Sequence, residues 1–147
     1  MIESLAALAL VALGGAVGAV LRYLLSVGML RCFAIQQWVG IMLINVLGCL
    51  LIGACAAGLV MVSGTPGPIA DWLSTASGVP AEMAAHRGHL LLMTGVLGGF
   101  TTFSTAMLDV FILWRQDKKV SAAITLVVTP VVAILAVMVG FGIGGAL

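Results

Sequence analysis

Charge is nearly missing from this chain. Only 7% of its 147 residues are Asp, Glu, Lys or Arg, against roughly 25% in a soluble domain, and that excludes an ordinary water-soluble fold. Six Lys and Arg against five Asp and Glu leave a formal net charge of +1, which removes the basic surface that nucleic-acid binding needs. Polar tracts are scarce too: with 63% hydrophobic residues the chain is no candidate for disorder. A disulfide framework is excluded by number and place. The cysteines are three, Cys32, Cys49 and Cys55, and the last two share one apolar run, so they read as small buried hydrophobes. The first apolar run has no basic stretch before it and is longer than a signal core, so it is not expected to be a cleavable leader.

What is present is long apolar sequence. Four runs, about 5–26, 39–62, 90–114 and 120–147, each reach the roughly 20 residues that a hydrocarbon core demands. They are continuous, not alternating, which rules out a membrane barrel. The expected fold is an all-α integral membrane protein, one four-span domain over 1–147. The connection 63–89 is broken by Pro66, Gly67, Pro68, Gly78 and Pro80; short interfacial helices are expected around Trp72 and Met83. Only Arg115–Lys119 separates the last two spans, making them antiparallel neighbours.

Glycine is in excess, at 19 residues. Gly14/Gly18, Gly95/Gly99 and Gly140/Gly144 have the spacing that lets helix backbones approach closely in lipid. Helix packing does not account for the run from Gly98 to Thr105, where two glycines precede a cluster of hydroxyls at mid-membrane depth. Glycine and β-branched threonine are poor helix formers, and irregular backbone at that depth survives only inside protein or along a polar cavity. A helix break near Gly98–Thr101 is expected, with freed carbonyls and N–H groups that suit an ion; an unbroken, hydroxyl-rich packing helix is the plainer alternative.

No catalytic set is visible. Asp71, Glu82, Asp109 and Asp117 fall at span ends or in connections, Glu3 sits near the N-terminus, and Ser104 has no intramembrane base to activate it. His86 and His89 lack further ligands and read as solvated. The intramembrane polar groups are neutral. Asn45 must face another helix or a water-filled path. Ser121, Thr125 and Thr129 stack along one face of the fourth span, either lining a path or bonding back to their own helix. Donors without fixed charge suit a small, partly dehydrated anion that must also leave.

Three segments carry a resemblance. Gly14-Gly15-Ala16-Val17-Gly18-Ala19-Val20-Leu21-Arg22-Tyr23, the pattern Gly40…Asn45…Gly48, and Gly95-Val-Leu-Gly98-Gly99-Phe100-Thr101-Thr102-Phe103-Ser104-Thr105 resemble, in order and spacing, the motifs of the CrcB/Fluc fluoride ion channel family. The resemblance implies a passive fluoride channel of the bacterial plasma membrane that relieves fluoride toxicity. It implies an antiparallel dimer with two pathways and a structural Na+ on its axis, held by the carbonyls of Gly98 and Thr101. Asn45 would donate to fluoride and Phe103 would turn its electropositive ring edge to it. Ser104, Thr105, Thr125 and Thr129 would add hydroxyls, and Arg22 would lend positive potential to a vestibule. Two positions depart from the family pattern: Ala106 stands where a second phenylalanine is usual, and Thr125 and Thr129 stand where Tyr and Ser are common. A small proton-coupled multidrug exporter, which needs a membrane-embedded carboxylate, and a non-transporting membrane subunit are the competing readings.

Basic residues are unevenly shared. Arg31, Arg115, Lys118 and Lys119 lie in the first and third connections, with Arg22 close by, and only Arg87 lies on the other side. That bias favours one orientation, with both termini outside. A subunit so fixed would need an opposite-topology paralogue as its antiparallel partner, in place of a second copy of itself.

Overall fold

The computed structural model describes residues 2–33, 35–59 and 67–145, and among them all regular structure is helical. Four helices are long and apolar enough to cross a membrane: Ser4–Cys32, Gln37–Leu59, Ala81–Arg115 and Lys119–Gly144. The protein is therefore a multi-pass membrane protein. We label the elements α1 (Ile2–Phe33), α2 (Gln37–Leu59), α3 (Pro68–Ser77), α4 (81–100), α5 (Phe103–Arg115) and α6 (Lys119–Gly144). The expected end of the second span at Val62, the first residues of the connection through Pro66, and positions 146–147 of the fourth span lie outside the described residues.

Local chemistry sets the short helix. Pro68 opens α3, its fixed φ already suited to a first turn. Gly78 closes it at φ 68°, a left-handed conformation that glycine adopts without steric cost, and its N–H donates to the Ser74 carbonyl at 2.9 Å. Trp72, on this helix, is exposed. The second interfacial helix expected around Met83 is not separate. The chain enters helix at Ala81 and stays helical through His89 (φ −59°, ψ −47°) into the third span, because no proline and no left-handed residue interrupts it between Pro80 and Thr101.

Both later spans contain wide, π-type turns, over His89–Leu97 and Ile124–Val128. The second lies just before Pro130. A proline ring lacks an N–H and crowds the carbonyl four residues back, and a widened turn relieves that crowding within a continuing helix.

Two seams of small residues join the spans. α1 packs chiefly on α4, and α2 chiefly on α6. A Cβ added to Gly14 or Gly18 would run into the backbone of Leu91, Gly95 or Val96, and one on Gly99 into the backbone of Gly15. On the other seam, Gly53 faces the Val137 carbonyl, while Gly140 and Gly144 face those of Leu50 and Ala54. Lipid offers no hydrophobic drive between helices, so this backbone-to-backbone contact is what holds them together.

The irregular backbone lies later in the chain than expected. Gly98–Phe100 remain helical, and the Thr101 N–H still donates to the Leu97 carbonyl at 3.0 Å. The extended residues are Thr101 (φ −79°, ψ 156°) and Thr102 (φ −151°, ψ 121°). Close packing of Gly99 on α1 keeps the glycines helical despite their low propensity. What diverts the chain is a better partner for the next N–H, described below.

Candidate functional site

Asn45 and Thr102 form a reciprocal pair. The Thr102 N–H donates to Asn45 Oδ1 at 2.8 Å, and Asn45 Nδ2 donates to the Thr102 carbonyl at 2.9 Å. One side-chain amide thus replaces a rung of backbone bonding and holds the extended pair against α2. Gly48, one turn along α2, faces the Thr101 methyl and the Phe100 ring. The next helix is capped at once: Thr102 Oγ1 accepts from the Thr105 N–H at 3.3 Å, as N-cap threonines do. The Thr101 side chain closes the preceding helix by donating to the Leu97 carbonyl at 3.1 Å.

Beside this pair lies a recess of about 300 Å³ lined by Asn45, Cys49, Thr101, Thr102, Phe103, Ala106, Met107, Thr125, Leu126, Thr129, Pro130 and Ala133. It brings together α2, the extended pair, α5 and α6. Of the residues singled out from the sequence, Asn45, Thr101, Phe103, Thr125 and Thr129 meet here. Ser104, Thr105, Gly98 and Arg22 do not line it. Thr105 Oγ1 and Ser104 Oγ instead lie 3.1 and 3.4 Å from Thr102 Oγ1, and Arg22 sits half-buried on α1.

The two threonines of α6 differ. Thr125 donates to the Ser121 carbonyl at 3.0 Å, so its hydrogen is spent on its own helix. Thr129 is 5% exposed, and its hydroxyl has no partner among the described residues. Asn45 has spent one amide hydrogen on Thr102 and keeps the other. The donors open to the recess therefore include the Thr129 hydroxyl and that second amide hydrogen, both uncharged. Phe103 lines the recess yet is 77% exposed, so its ring stands at the edge. Ala106 is buried with Ile41, Ile44 and Phe100.

The family model described as CrcB-like protein, Camphor Resistance (CrcB), matches residues 9–141. The chain belongs to the CrcB family. A protein of Cereibacter sphaeroides named "Fluoride-specific ion channel FluC" is 40% identical over 77% of this chain and 73% of its own length. Proteins of the same name from Ruegeria sp. and Rhizobium leguminosarum bv. trifolii are 36% and 33% identical. They cover 88% and 94% of this chain, and 87% and 95% of their own lengths.

One buried group departs from expectation. Asp109, read from the sequence as closing a span, is 4% exposed within α5. Its Oδ1 accepts from Gln37 Nε2 at 3.2 Å, and Oδ2 has no partner among the described residues. A carboxylate does therefore sit inside a spanning helix, beside a second recess of about 330 Å³ that Gln36, Gln37, Gln116 and Lys118 also line. The signal was in the spacing. Ala106, Asp109 and Leu113 share the buried face of α5, at the i, i+3, i+7 positions of one helix stripe.

Proposed function

We propose that this chain is a fluoride-selective channel that lets F− leave the cell passively through the bacterial plasma membrane and so relieves fluoride toxicity. The observation that carries the reading is the likeness, at 33–40% identity, to proteins named fluoride-specific ion channels. The recess supports it chemically. Its free donors are neutral, so they offset part of a small anion's dehydration cost without holding it as a buried Lys or Arg would. Asn45 offers its remaining amide hydrogen, Thr129 its hydroxyl, and Phe103 a ring edge. Thr125 contributes oxygen, not hydrogen, while Ser104 and Thr105 surround the cap from outside the recess. Arg22 would raise the potential of a vestibule.

The working unit in this reading is an antiparallel dimer, with a structural Na+ on its axis bound by the carbonyls of Gly98 and Thr101. The residues fit such an ion. The Thr102 N–H, which would bond the Gly98 carbonyl in an unbroken helix, goes to Asn45, and the Thr105 N–H goes to Thr102 Oγ1. Both carbonyls therefore lack their usual ladder donors, and main-chain oxygens suit a hard cation. When bound, the ion would tie two copies together where their extended segments meet. The partner is a second copy or an opposite-topology paralogue, and the basic-residue bias favours the latter.

Purified protein in liposomes loaded with fluoride tests the function. Release measured with a fluoride electrode, without matching chloride release and without dependence on a proton gradient, is the expected result. Proton-coupled release would favour an exporter built around Asp109, and no release would favour a non-transporting subunit.

A further inference from the structure

We infer that the recess is also a soft-metal site, in which the Cys49 thiol and the Met107 thioether take up a soft cation such as Ag+ and close the pathway. The inference rests on reading that recess as the fluoride pathway. Cys49 follows Asn45 by one turn of α2, and Met107 follows Phe103 by one turn of α5, so each sulfur rides one turn beyond a pathway residue. Both are half-buried and line the same recess. Thr129, buried there without a partner, supplies a further neutral oxygen.

Hard anions and soft cations make opposite demands on a cavity. Fluoride needs N–H and O–H donors, whereas thiolate and thioether sulfur select soft metals. This recess holds both sets. The step is a simple exchange. The Cys49 S–H bond breaks, an S–Ag bond forms, and the proton goes to water. Met107 adds a lone pair, and nothing is oxidised or reduced. The bound metal draws the Cys49 and Met107 side chains together across the recess, and that bridge between α2 and α5 is what closes the path.

The other cysteines are internal controls. Cys55 lines a different recess, with Ala54, Pro68, Ile69 and Trp72, and Cys32 is exposed. Neither touches the pathway.

The test uses the full chain in fluoride-loaded liposomes in chloride-free nitrate medium, with each variant compared with its own untreated efflux. Ag+ is expected to stop release from the wild type, and excess glutathione to restore it. Cys32→Ala and Cys55→Ala remain sensitive. Cys49→Ala and the near-isosteric Cys49→Ser lose the block, and Met107→Leu weakens it by about tenfold, the scale of losing a supporting partner at a metal site. Methylmercury, which needs only one sulfur, blocks Met107→Leu as well as the wild type. Block that survives in both Cys49 variants, or an Ag+ sensitivity unchanged by Met107→Leu, overturns the two-sulfur site. If the untreated protein releases no fluoride, the channel reading fails by itself. The metal site is then decided by mass spectrometry on the Cys32→Ala/Cys55→Ala chain: one retained silver that disappears with Cys49→Ala and is lost more readily with Met107→Leu supports the site, and no silver, or retention unchanged by Met107→Leu, overturns it.

Discussion

The two halves of the third span do different work. α4 lies on α1 through glycines and keeps its helix even at Gly98 and Gly99. α5 begins at a threonine cap, carries a buried carboxylate, and borders the recess. The glycine-rich half stays helical and the threonine-started half is where polar groups are freed. Flexibility in the sequence and irregularity in the fold are therefore not the same thing. A glycine pressed against another backbone is held in helix, while a threonine whose N–H is claimed from outside leaves it.

Filling the seam between α1 and α4 should have the largest effect. Gly18→Leu drives a side chain into the Val96 carbonyl and is expected to cost more than the ~1–3 kcal/mol of ordinary overpacking, because backbone cannot step aside. The folded fraction on gel filtration should collapse. Gly28→Ala, where an added Cβ meets nothing, should instead gain about 0.5–1 kcal/mol of helix stability.

Next comes the clasp. Asn45→Leu leaves the Thr102 N–H and carbonyl without their partners, about 1–3 kcal/mol for each buried group, and should abolish fluoride efflux as well as lower the melting temperature. Asn45→Asp keeps the acceptor for the Thr102 N–H but, when ionised, sets a carboxylate against the Thr102 carbonyl and the permeating anion, so its efflux should be as low as that of Asn45→Leu. Full efflux in Asn45→Leu would mean the extended pair stands without its clasp.

Rings give a smaller effect. Phe103→Ala removes an exposed ring at the recess edge and should reduce efflux with little change in melting temperature. Ala106→Phe puts a ring among Ile41, Ile44 and Phe100 and should cost ~1–3 kcal/mol by overpacking, read as a lower melting temperature with no gain in transport. Higher efflux from that variant would show that the missing ring limits flux and that the packing around Ala106 yields.

The smallest contrast is between the two threonines. Thr125→Val gives up its bond to Ser121 and should cost about 0.5–1.5 kcal/mol, measured by thermal unfolding. Thr129→Val gives up no bond and should leave stability near unchanged while slowing fluoride release. The reverse pattern would make Thr125 the functional hydroxyl.

Composition and periodicity decided the class of molecule. Charge-poor runs of spanning length can satisfy their backbone in lipid only as helices, and three motifs in order carried the family. The small-residue spacing announced two seams, because close approach in lipid depends on residue size alone. Hydrogen-bond destinations were not legible in that way. Whether Gly98 or Thr101 leaves the helix turned on where Asn45, 57 positions from Thr102 in the chain, could reach. Which of two equally spaced threonines is free turned on whether a hydroxyl met its own helix or the recess. Asp109 lay on a stripe visible in the sequence, yet its burial needed Gln37 from a different helix, 72 positions away. Helix propensity and hydrophobic pattern are local, whereas the partner of a buried polar group is chosen by whatever the folded chain brings within about 3 Å of it.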